Sequence, residues 1–379
     1  MKILLIGEFS NVHWTLACAL RQLGHEVTVV SDGNTWRQYP CDVRLYRKST
    51  SAIHTFKYLL DIMRQLPKWR GYDVVQVISP VLFLSLKPQR LKKIYDYLLR
   101  HNKRVYMGAM SDDYQYIYDS YVRRRLKYCD FYTPTREIDN ERNRETAHGW
   151  LHTYSKDLCL HVAGTCHGII AVLYEYYVAY KDDYPQKTSY VPLPIVPDDT
   201  ALESLSPESP SPIRFFVGMD RRRNELKGTD ILYKVAKQLE AKYPGQCEVV
   251  ATESLPYREY IARMKQCDVL LDQIYSYTPA MNALQAMSMG MVVVSGGEEE
   301  SYELLGEHEL RPIVNVQPDE EDAYRQLELL VLHPERILRL KREGIAYVRC
   351  HHDSLKVAER YLKAWGYENE KTKIEIQTT

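Results

Sequence analysis

The sequence predicts an α/β fold built from two Rossmann-like domains. Buried apolar runs alternate with amphipathic helical segments, a proline- and serine-rich stretch lies near the middle, and 379 residues suit two domains. The chain opens with a strand at 2–6, a helix at 12–23 and a strand at 26–30, which together form a βαβ unit. The same alternation returns after residue 212, so each half is expected to build its own parallel sheet.

Further strands are predicted where short apolar runs end in glycine or polar residues. They lie at 73–78, 104–108, 169–173 and 189–195 in the first half, and at 213–217, 247–252, 268–272, 291–295 and 312–315 in the second. The predicted organisation is a first domain at 1–195 with an insertion or lid at about 111–160, a linker at 196–212, a second domain at 213–350, and a terminal helix with a tail at 351–379.

The amino-acid composition argues against several classes of protein. The 50 Lys and Arg residues balance the 50 Asp and Glu residues, so no global charge attracts nucleic acid. Eight scattered cysteines without a C-x-x-C pair favour reduced core residues over disulfides or a metal site. No apolar run reaches the length of about 18 residues that a membrane span needs, and the N-terminal run is too short for a signal peptide. We therefore expect a cytoplasmic protein.

The segment 268–295 carries the strongest candidate site. It reads as a strand, a loop, a helix that stops at a glycine and a second buried strand. Thr278 is predicted as the N-cap and Pro279 as the first helical residue. The backbone amides then left without acceptors are those of Ala280, Met281 and Asn282. Such a helix start binds phosphate well, although a helix start after a parallel strand is common in any α/β protein.

A cluster of cations follows the first strand of the second half. The loop after that strand contains Arg221, Arg222, Arg223 and Lys227. Open α/β sheets bind anionic ligands at the carboxyl ends of their strands, where charge-assisted contacts are strong. A solvated basic loop is the alternative interpretation. The glycines at the two ends of the loop, Gly218 and Gly228, favour a ligand loop.

These features resemble the nucleotide-sugar half of the retaining GT-B glycosyltransferases, family 4 in particular. The resemblance rests on the glycine-ended strand, the Lys-Gly loop at 227–228, and the helix reading Ala-Leu-Gln-Ala-Met-Ser-Met-Gly over 283–290, before three valines. Chain length and two-domain order agree with it over the whole chain. The sequence departs from the family at Tyr277 and Gln285, where the family typically has two glutamates. The resemblance implies a GT-B fold, in which the two domains face a central cleft, and sugar transfer with retention.

The resemblance also implies roles for individual residues. Those expected at the donor diphosphate are Gly7, Arg221, Arg222, Arg223, Lys227, Thr278, Ala280, Met281 and Asn282. Those expected at the ribose and base are Gln285, Glu253 and Leu255, and those expected at the donor sugar or acceptor are Ser10, Asn11, His13 and Tyr277. An amide such as that of Gln285 offers a ribose diol both a donor and an acceptor. No metal or cofactor is required beyond a UDP- or GDP-linked sugar donor, because the cations and the helix start take the place of the metal.

Acidic residues at two predicted strand ends are candidates for catalysis or for helix caps. Asp112 and Asp113 follow the strand at 104–108, where many family members carry a histidine. Together with Lys227 they are the candidate catalytic residues, since carboxylates can bind acceptor hydroxyls, act as a base or hold a divalent ion. Helix capping is the alternative. Glu298, after a glycine pair, is expected either to face a sugar hydroxyl or to cap the following helix.

The segment 87–104 is a strongly basic helix with grouped apolar residues, namely Leu91, Ile94, Leu98 and Leu99. Two interpretations are open. The helix is suited to resting on an anionic membrane surface, as in transferases with lipid-linked acceptors. It is equally suited to packing on the sheet with a solvated outer face.

The predicted function is transfer of a sugar from a nucleotide-diphosphate donor to a hydroxyl of a sugar or lipid-linked acceptor, in bacterial cell-surface polysaccharide or glycolipid synthesis. The protein would work in the cytoplasm, with possible peripheral contact at the inner face of the membrane. Two alternatives share the architecture: a sugar-nucleotide epimerase and a non-catalytic nucleotide-sugar-binding GT-B protein. A Rossmann oxidoreductase is disfavoured because the loop after the first strand lacks G-x-G-x-x-G.

Overall fold

The computed structural model describes residues 1–32, 39–219, 224–253 and 255–367. Within these residues the chain forms two parallel β-sheets, one of seven strands and one of five, with helices packed against them. The predicted α/β fold with two Rossmann-like domains is confirmed. The cations Arg221, Arg222 and Arg223 and the predicted tail at the end of the chain lie outside the described residues.

The strand order reverses once in each sheet, and each reversal creates a crevice. The first sheet contains β1 (Lys2–Ile6), β2 (Glu26–Ser31), β3 (Val43–Arg44), β4 (Val74–Val77), β5 (Arg104–Ala109), β6 (Gly168–Ala171) and β7 (Thr188–Tyr190), in the order β3-β2-β1-β4-β5-β6-β7. The second contains β8 (Ile213–Met219), β9 (Cys247–Glu253), β10 (Val269–Gln273), β11 (Val292–Ser295) and β12 (Ile313–Asn315), in the order β12-β11-β10-β8-β9. Ligands bind where such an order reverses, which is between β1 and β4 and between β8 and β10.

Helices connect the strands. In the first half they are α1 (Val12–Gln22), α2 (Ala52–Gln65), α3 (Pro88–His101), α4 (Tyr114–Ile117), α5 (Glu141–Leu151), α6 (Tyr154–Thr165) and α7 (Tyr174–Lys181). In the second half they are α8 (Asn224–Lys227), α9 (Thr229–Lys242), α10 (Tyr257–Met264), α11 (Met281–Ser288), α12 (Glu299–Leu305), α13 (Glu320–Leu332), α14 (Glu335–Tyr347) and α15 (Ser354–Ala364). A 3₁₀ turn covers Leu66–Lys68, and π-helical turns cover Tyr118–Arg123 and Val348–His352.

Strand β1 shows how the first sheet is buried on both faces. Leu4 and Ile6 belong to the core beneath α2, α3 and α6, whereas Ile3 and Leu5 belong to the core beneath α1 and α15. All four side chains are inaccessible to solvent. This arrangement explains why the strand reads as a continuous apolar run rather than an alternating one.

The last described helix, α15, packs against the first sheet. The Trp365 indole N–H donates to Gln76 Oε1 at 3.0 Å, and the Trp365 carbonyl oxygen accepts from Arg104 at 2.7 Å and from the Tyr106 hydroxyl at 2.9 Å. The chain therefore returns to the first sheet after completing the second. The exact domain boundaries stay predictions.

The insertion predicted at about 111–160 is packed rather than an open lid. Ile117, Tyr128 and Phe131 are buried in the first core, and the Tyr132 hydroxyl donates to the Leu126 carbonyl oxygen at 2.7 Å. A tyrosine can bury its ring and still satisfy its hydroxyl, so a tyrosine-rich sequence looks more polar than its environment.

The predicted strand at 189–195 is shorter in the structure. Strand β7 ends at Tyr190. Pro192 and Pro194 follow, and proline has no N–H to donate to a strand ladder.

Candidate functional site

Loops that follow the carboxyl ends of strands in the two sheets meet in the middle of the molecule. The loop after β1 and the start of α7 come from the first sheet, and the loops after β10 and β11 come from the second. Val12 belongs to the same apolar cluster as Leu284 of α11, and Phe9 and Met281 pack against that cluster. A functional site between the two sheets is therefore expected at these loops.

Glu175, on α7, holds the loop that precedes α11. Its Oε1 accepts hydrogen bonds from the Ser276 hydroxyl at 2.6 Å and from the backbone N–H groups of Tyr277 and Thr278 at 2.7 and 3.1 Å. Its Oε2 accepts from the Thr278 hydroxyl at 2.9 Å. The carboxylate is buried. It therefore fixes the α11 loop against the first domain with four hydrogen bonds.

Tyr277 lies between two tyrosines of the first domain. Its ring centroid is 4.8 Å from that of Tyr128 and 5.5 Å from that of Tyr174, which is nearly parallel to it. Its hydroxyl accepts from the Lys127 N–H at 2.5 Å. With 2% of its surface exposed, Tyr277 packs in the interface between the domains. Because Tyr277 is buried here, the prediction that it contacts the donor sugar or acceptor is wrong.

Glu298 makes a second link between the domains. Its Oε1 accepts from the Tyr128 hydroxyl at 2.9 Å, and also from Asn315 at 2.8 Å and Gln317 at 2.7 Å. Burial opposes ionisation, but these donors and the nearby Lys127 ammonium outweigh it and lower the pKa of Glu298. Glu298 is nevertheless the N-cap residue of α12, although its side chain makes no capping bond, and Glu299 and Glu300 lie in the first turn, as the capping alternative predicts. The contact of Glu298 with a sugar hydroxyl stays a prediction.

The start of α11 differs from the prediction. The helix begins at Met281, two residues later than expected, and its N-cap residue Ala280 contributes no side-chain bond. Thr278 is not the N-cap, because Glu175 engages its N–H and its hydroxyl. Thr278 therefore has no group left for a donor diphosphate. The first-turn amides of Met281 and Asn282 have no acceptor within the helix and stay available for that role.

Lys227 and the start of α11 converge on one carboxylate. The Lys227 ammonium lies 3.3 Å from Asp272 Oδ1, and the Asn282 side-chain amide donates to the same oxygen at 3.0 Å. Asp272 lies near the end of β10 and is buried, while the Lys227 side chain is partly exposed. The loops after β8 and β10 flank the reversal of strand order, so a cation and a helix start lie together at the crevice that α/β sheets use for ligands.

Close neighbouring atoms explain why glycine stands at each end of the basic loop. Gly228 has a φ of +66°, and a Cβ there would lie 2.3 Å from Ile274 Cγ1. A Cβ on Gly218 would lie 2.8 Å from the ring of Tyr260, whose hydroxyl donates to Asn282 Oδ1 at 3.1 Å. Both glycines therefore allow close packing next to the start of α11.

The residues predicted for the ribose and base stay predictions. Gln285 lies on α11 and is partly exposed, Glu253 is the exposed last residue of β9, and Leu255 is partly exposed before α10. All three are accessible, as a contact with a ligand requires.

The loop after β1 has an unusual backbone. Ser10 and Asn11 adopt left-handed conformations with φ of 53° and 68°, and both are partly exposed. Gly7 has a φ of +87°, and a Cβ there would lie 2.2 Å from Ile78 Cγ2. The predicted ligand contacts of these three residues stay predictions. The strained backbone is consistent with a functional loop.

His13 is buried beneath the loop that follows β1 and therefore cannot contact a sugar. Its Nδ1 lies 2.8 Å from the Gly7 carbonyl oxygen, and the side chain is inaccessible to solvent. Burial lowers the pKa of His13 to about 4, so the ring is neutral near pH 7. The predicted contact with donor or acceptor is therefore wrong.

Glu8 is a buried acid at the start of α1. Its Oε2 accepts from the Trp14 N–H at 2.7 Å, and its Oε1 has no partner among the described residues. Burial raises the pKa of Glu8 to about 8, against the opposing effect of the backbone N–H groups of α1. The side chain is therefore mostly protonated at neutral pH.

We expect Glu8→Gln to stabilise the protein at alkaline pH and to have little effect near pH 4. Between the unfolded pKa of 4.5 and the folded pKa of about 8, the unfolded state releases the proton while the folded state keeps it, so wild-type stability falls as pH rises. The full loss is on the order of 4 kcal/mol, and glutamine, which mimics the neutral acid, avoids it. Urea unfolding of both proteins from pH 4 to pH 9 measures the difference. A difference independent of pH would contradict the prediction.

Asp113 is a helix cap. Its Oδ1 accepts from the Tyr116 N–H at 2.9 Å, and its Oδ2 accepts from the Tyr180 hydroxyl at 2.6 Å. The side chain is inaccessible, and burial raises its pKa to about 6. The capping alternative is therefore correct for Asp113, and its predicted catalytic role is wrong. Asp112 is partly exposed and stays a candidate.

A third acid lies close to this pair. Burial and the neighbouring Asp112 carboxylate raise the pKa of Asp130 well above its usual value. The Tyr116 hydroxyl donates to Asp130 Oδ1 at 3.4 Å. The Asp112 and Asp130 carboxylates are therefore close enough for their charges to interact.

We expect Asp113→Ala to lower stability without changing the affinity of any substrate. It removes a helix cap and leaves the buried Tyr180 hydroxyl without its acceptor, which together cost about 2 to 4 kcal/mol. Asp113→Asn keeps both contacts possible and is the matched control. Chemical unfolding measures the stability, and a selective rise in KM for Asp113→Asn would restore the residue as a ligand contact.

One group of possible metal ligands occurs in the described part of the chain. Single atoms of Glu307, Cys350 and His351 lie within 4.8 Å of one another. The Glu307 carboxylate already pairs with His351 Nε2 at 2.6 Å and accepts from two backbone N–H groups. The group joins the loop after α12 to the turn before α15.

Comparisons with solved structures extend over nearly the whole chain. Sucrose-phosphate synthase from Thermosynechococcus elongatus is 13% identical with a TM-score of 0.60, and the match covers 96% of this chain and 98% of that one. HepE from Anabaena, in complex with UDP and glucose, is 11% identical with a TM-score of 0.58 and coverages of 97% and 100%. WaaG, a glycosyltransferase involved in lipopolysaccharide biosynthesis, is 12% identical with a TM-score of 0.55 and coverages of 95% and 98%.

These likenesses confirm the predicted GT-B fold. Neither a protein-family model nor a curated protein sequence matches this chain. At identities of 11 to 13% the structural matches establish the fold and nothing finer. The function must be argued from the site.

Sequence reasoning missed Glu175, Asp272 and Asp130. Glu175 carried a usable signal, because it is a lone acid among tyrosines, two residues beyond the end of the buried strand predicted at 169–173. Asp272 likewise interrupts an apolar strand at its carboxyl end. Asp130 carried no such signal, since its segment has no clear periodicity.

Proposed function

We propose that this protein transfers a sugar from a nucleotide-diphosphate donor to an acceptor hydroxyl. The observation that carries the proposal is the meeting of the Lys227 ammonium with the first turn of α11 at Asp272, at the reversal of strand order in the second sheet. A cation beside helix amides that have no acceptor among the described residues suits a diphosphate.

In the transfer, a bond forms between the acceptor oxygen and the anomeric carbon, and the bond from that carbon to the diphosphate oxygen breaks. The electron pair leaves with the diphosphate, so stabilising that charge gives the largest gain. Lys227 and the amides of Met281 and Asn282 supply the stabilisation. Asp112, with Asp130 beside it, is the candidate for binding the acceptor hydroxyl and receiving its proton. Contacts between the domains would exclude water that hydrolyses the donor.

The finer assignments belong to the same proposal. The donor is a UDP- or GDP-linked sugar, and the solved structures of HepE with UDP and with UDP-glucose support the uridine form. Membership of family 4 and retention of configuration follow from the sequence resemblance. The acceptor is a sugar or a lipid-linked sugar in cell-surface polysaccharide or glycolipid synthesis, in the cytoplasm or at the inner face of the membrane. No described helix has the length and apolar character that crossing a bilayer requires.

The test is turnover of UDP- and GDP-linked hexoses with and without a mixture of sugar acceptors, followed by nucleotide release and by NMR of the sugar. Nucleotide release that depends on an acceptor is the expected result, and the anomeric coupling of the product shows retention or inversion. Sugar interconversion without an acceptor would support the epimerase alternative. Nucleotide-sugar binding without any turnover would support the non-catalytic alternative.

A further inference from the structure

Helix α2 carries large apolar side chains on its outer face. Ile53, Phe56 and Met63 are 80, 69 and 65% exposed. The same helix packs inward through Tyr58 and Ile62, which are buried in the first core. Apolar residues on opposite faces are expected only of a helix that is covered on both sides.

The outer residues form one continuous stripe. Ile53, Phe56, Leu60 and Met63, named here the α2 stripe, are spaced by three and four residues, which places them on one face of a helix. This face is roughly opposite the one that carries Ile62. Scattered apolar residues on a surface need no explanation, but a contiguous stripe marks a surface that binds a partner.

The surroundings of the stripe are basic. Lys57 lies beside it on α2, and Lys87, Arg90 and Lys93 are exposed on or just before α3, which packs into the same core as α2. None of these four cations has an acidic partner in the described part of the chain. The nearby acids on the two helices, Asp61 and Asp96, are already paired with cations.

The loop before α3 adds another apolar group near the start of the stripe. Arg47 donates to Thr55 Oγ1 on α2 at 2.7 Å and to the Ser85 carbonyl oxygen at 3.2 Å. Leu84, next to Ser85, is also exposed. The bridge through Arg47 therefore holds Leu84 on the same side of the molecule as the start of α2.

Helix α3 itself cannot insert into a membrane. Leu91, Ile94 and Leu98 are buried in the first core, and Leu99 packs against it. The sheet-packing alternative is therefore correct for these apolar residues, and the predicted membrane contact through 87–104 stays a prediction. The cations on the outer face of α3 keep their exposure.

We infer that the α2 stripe docks on an anionic lipid bilayer, with its apolar side chains in the interface and the cations of α2 and α3 over the headgroups. An apolar stripe flanked by cations without acidic partners matches that surface in both polarity and charge. A second copy of this chain would bring the same unpaired cations against each other. Docking does not depend on the donor site, so the two proposals can fail separately.

The test is flotation of the full chain with vesicles of equal parts phosphatidylcholine and phosphatidylglycerol, at low and high salt. Wild-type protein is expected to bind and to be released by salt, and Ile53→Ser with Phe56→Ser to reduce the partition coefficient by at least about tenfold. Leu332→Ser, at an exposed leucine that ends α13, is the matched control and keeps binding. The Tm of each variant without ligand checks that it keeps its fold, independently of the donor site.

Three results would overturn the inference. The first is no binding to these vesicles at low salt. The second is binding that the Ile53→Ser and Phe56→Ser pair leaves unchanged. The third is self-association in sedimentation that the same pair abolishes, which would assign the stripe to a second copy.

Discussion

Glu175→Ala is expected to destabilise the protein by about 3 kcal/mol or more. The backbone N–H groups of Tyr277 and Thr278 lose their acceptor while still buried, and each such group costs about 1 to 3 kcal/mol. The α11 loop also loses its attachment to the first domain, so turnover should fall with stability. Urea unfolding gives the free energy, and hydrogen exchange should show lost protection at residues 277 and 278.

The matched control is Glu145→Ala, at an exposed glutamate of α5 in the same domain. It is expected to change neither stability nor exchange. Unchanged protection at residues 277 and 278 in Glu175→Ala would show that the hydrogen bonds of Glu175 do not hold the α11 loop in solution.

Lys227→Ala is expected to weaken binding of the donor diphosphate by about 10- to 100-fold. Loss of a charge-assisted contact costs about 1.5 to 3 kcal/mol. Among the described residues, the variant also leaves the buried Asp272 carboxylate with the Asn282 amide as its one polar partner, so its negative charge repels the ligand. Calorimetric titration with UDP and GDP measures the change.

Two variants separate charge from other effects. Lys227→Met keeps the aliphatic stem and should lose as much affinity as alanine. Lys234→Ala, at an exposed lysine of α9 paired with Glu320, should keep wild-type affinity. Affinity within about twofold of wild type in both Lys227 variants would remove this residue from the donor site.

The fold could be predicted because its signals are local. Buried parallel strands read as short apolar runs, and the strands predicted at 2–6, 213–217 and 291–295 agree with β1, β8 and β11 to within two residues. The prediction was weaker where side chains are amphipathic. The tyrosines around Tyr128 bury their rings, so a packed segment looked like an exposed insertion.

The site could be predicted only in part, because its hydrogen bonds join residues far apart in sequence. The local rule of a threonine before a proline makes Thr278 an N-cap, but Glu175, more than one hundred residues away, takes its hydroxyl and N–H instead. His13 similarly looks like a cleft residue, while its burial depends on the packing of α1 beneath the loop. By contrast, the positions of the strand ends were enough to predict that Lys227 and the start of α11 lie close together. In the structure, Lys227 and Asn282 both contact Asp272.

The donor site at Lys227 and the start of α11 can be tested by a thermal-shift series of wild type and Lys227→Ala against UDP, GDP, ADP, CMP and NAD. A ligand that binds only the native state raises Tm by mass action. One nucleoside diphosphate should raise the Tm of wild type clearly and that of Lys227→Ala much less. A shift with NAD alone, no shift with any nucleotide, or equal shifts in the two proteins would contradict the assignment of the donor site to Lys227 and the start of α11.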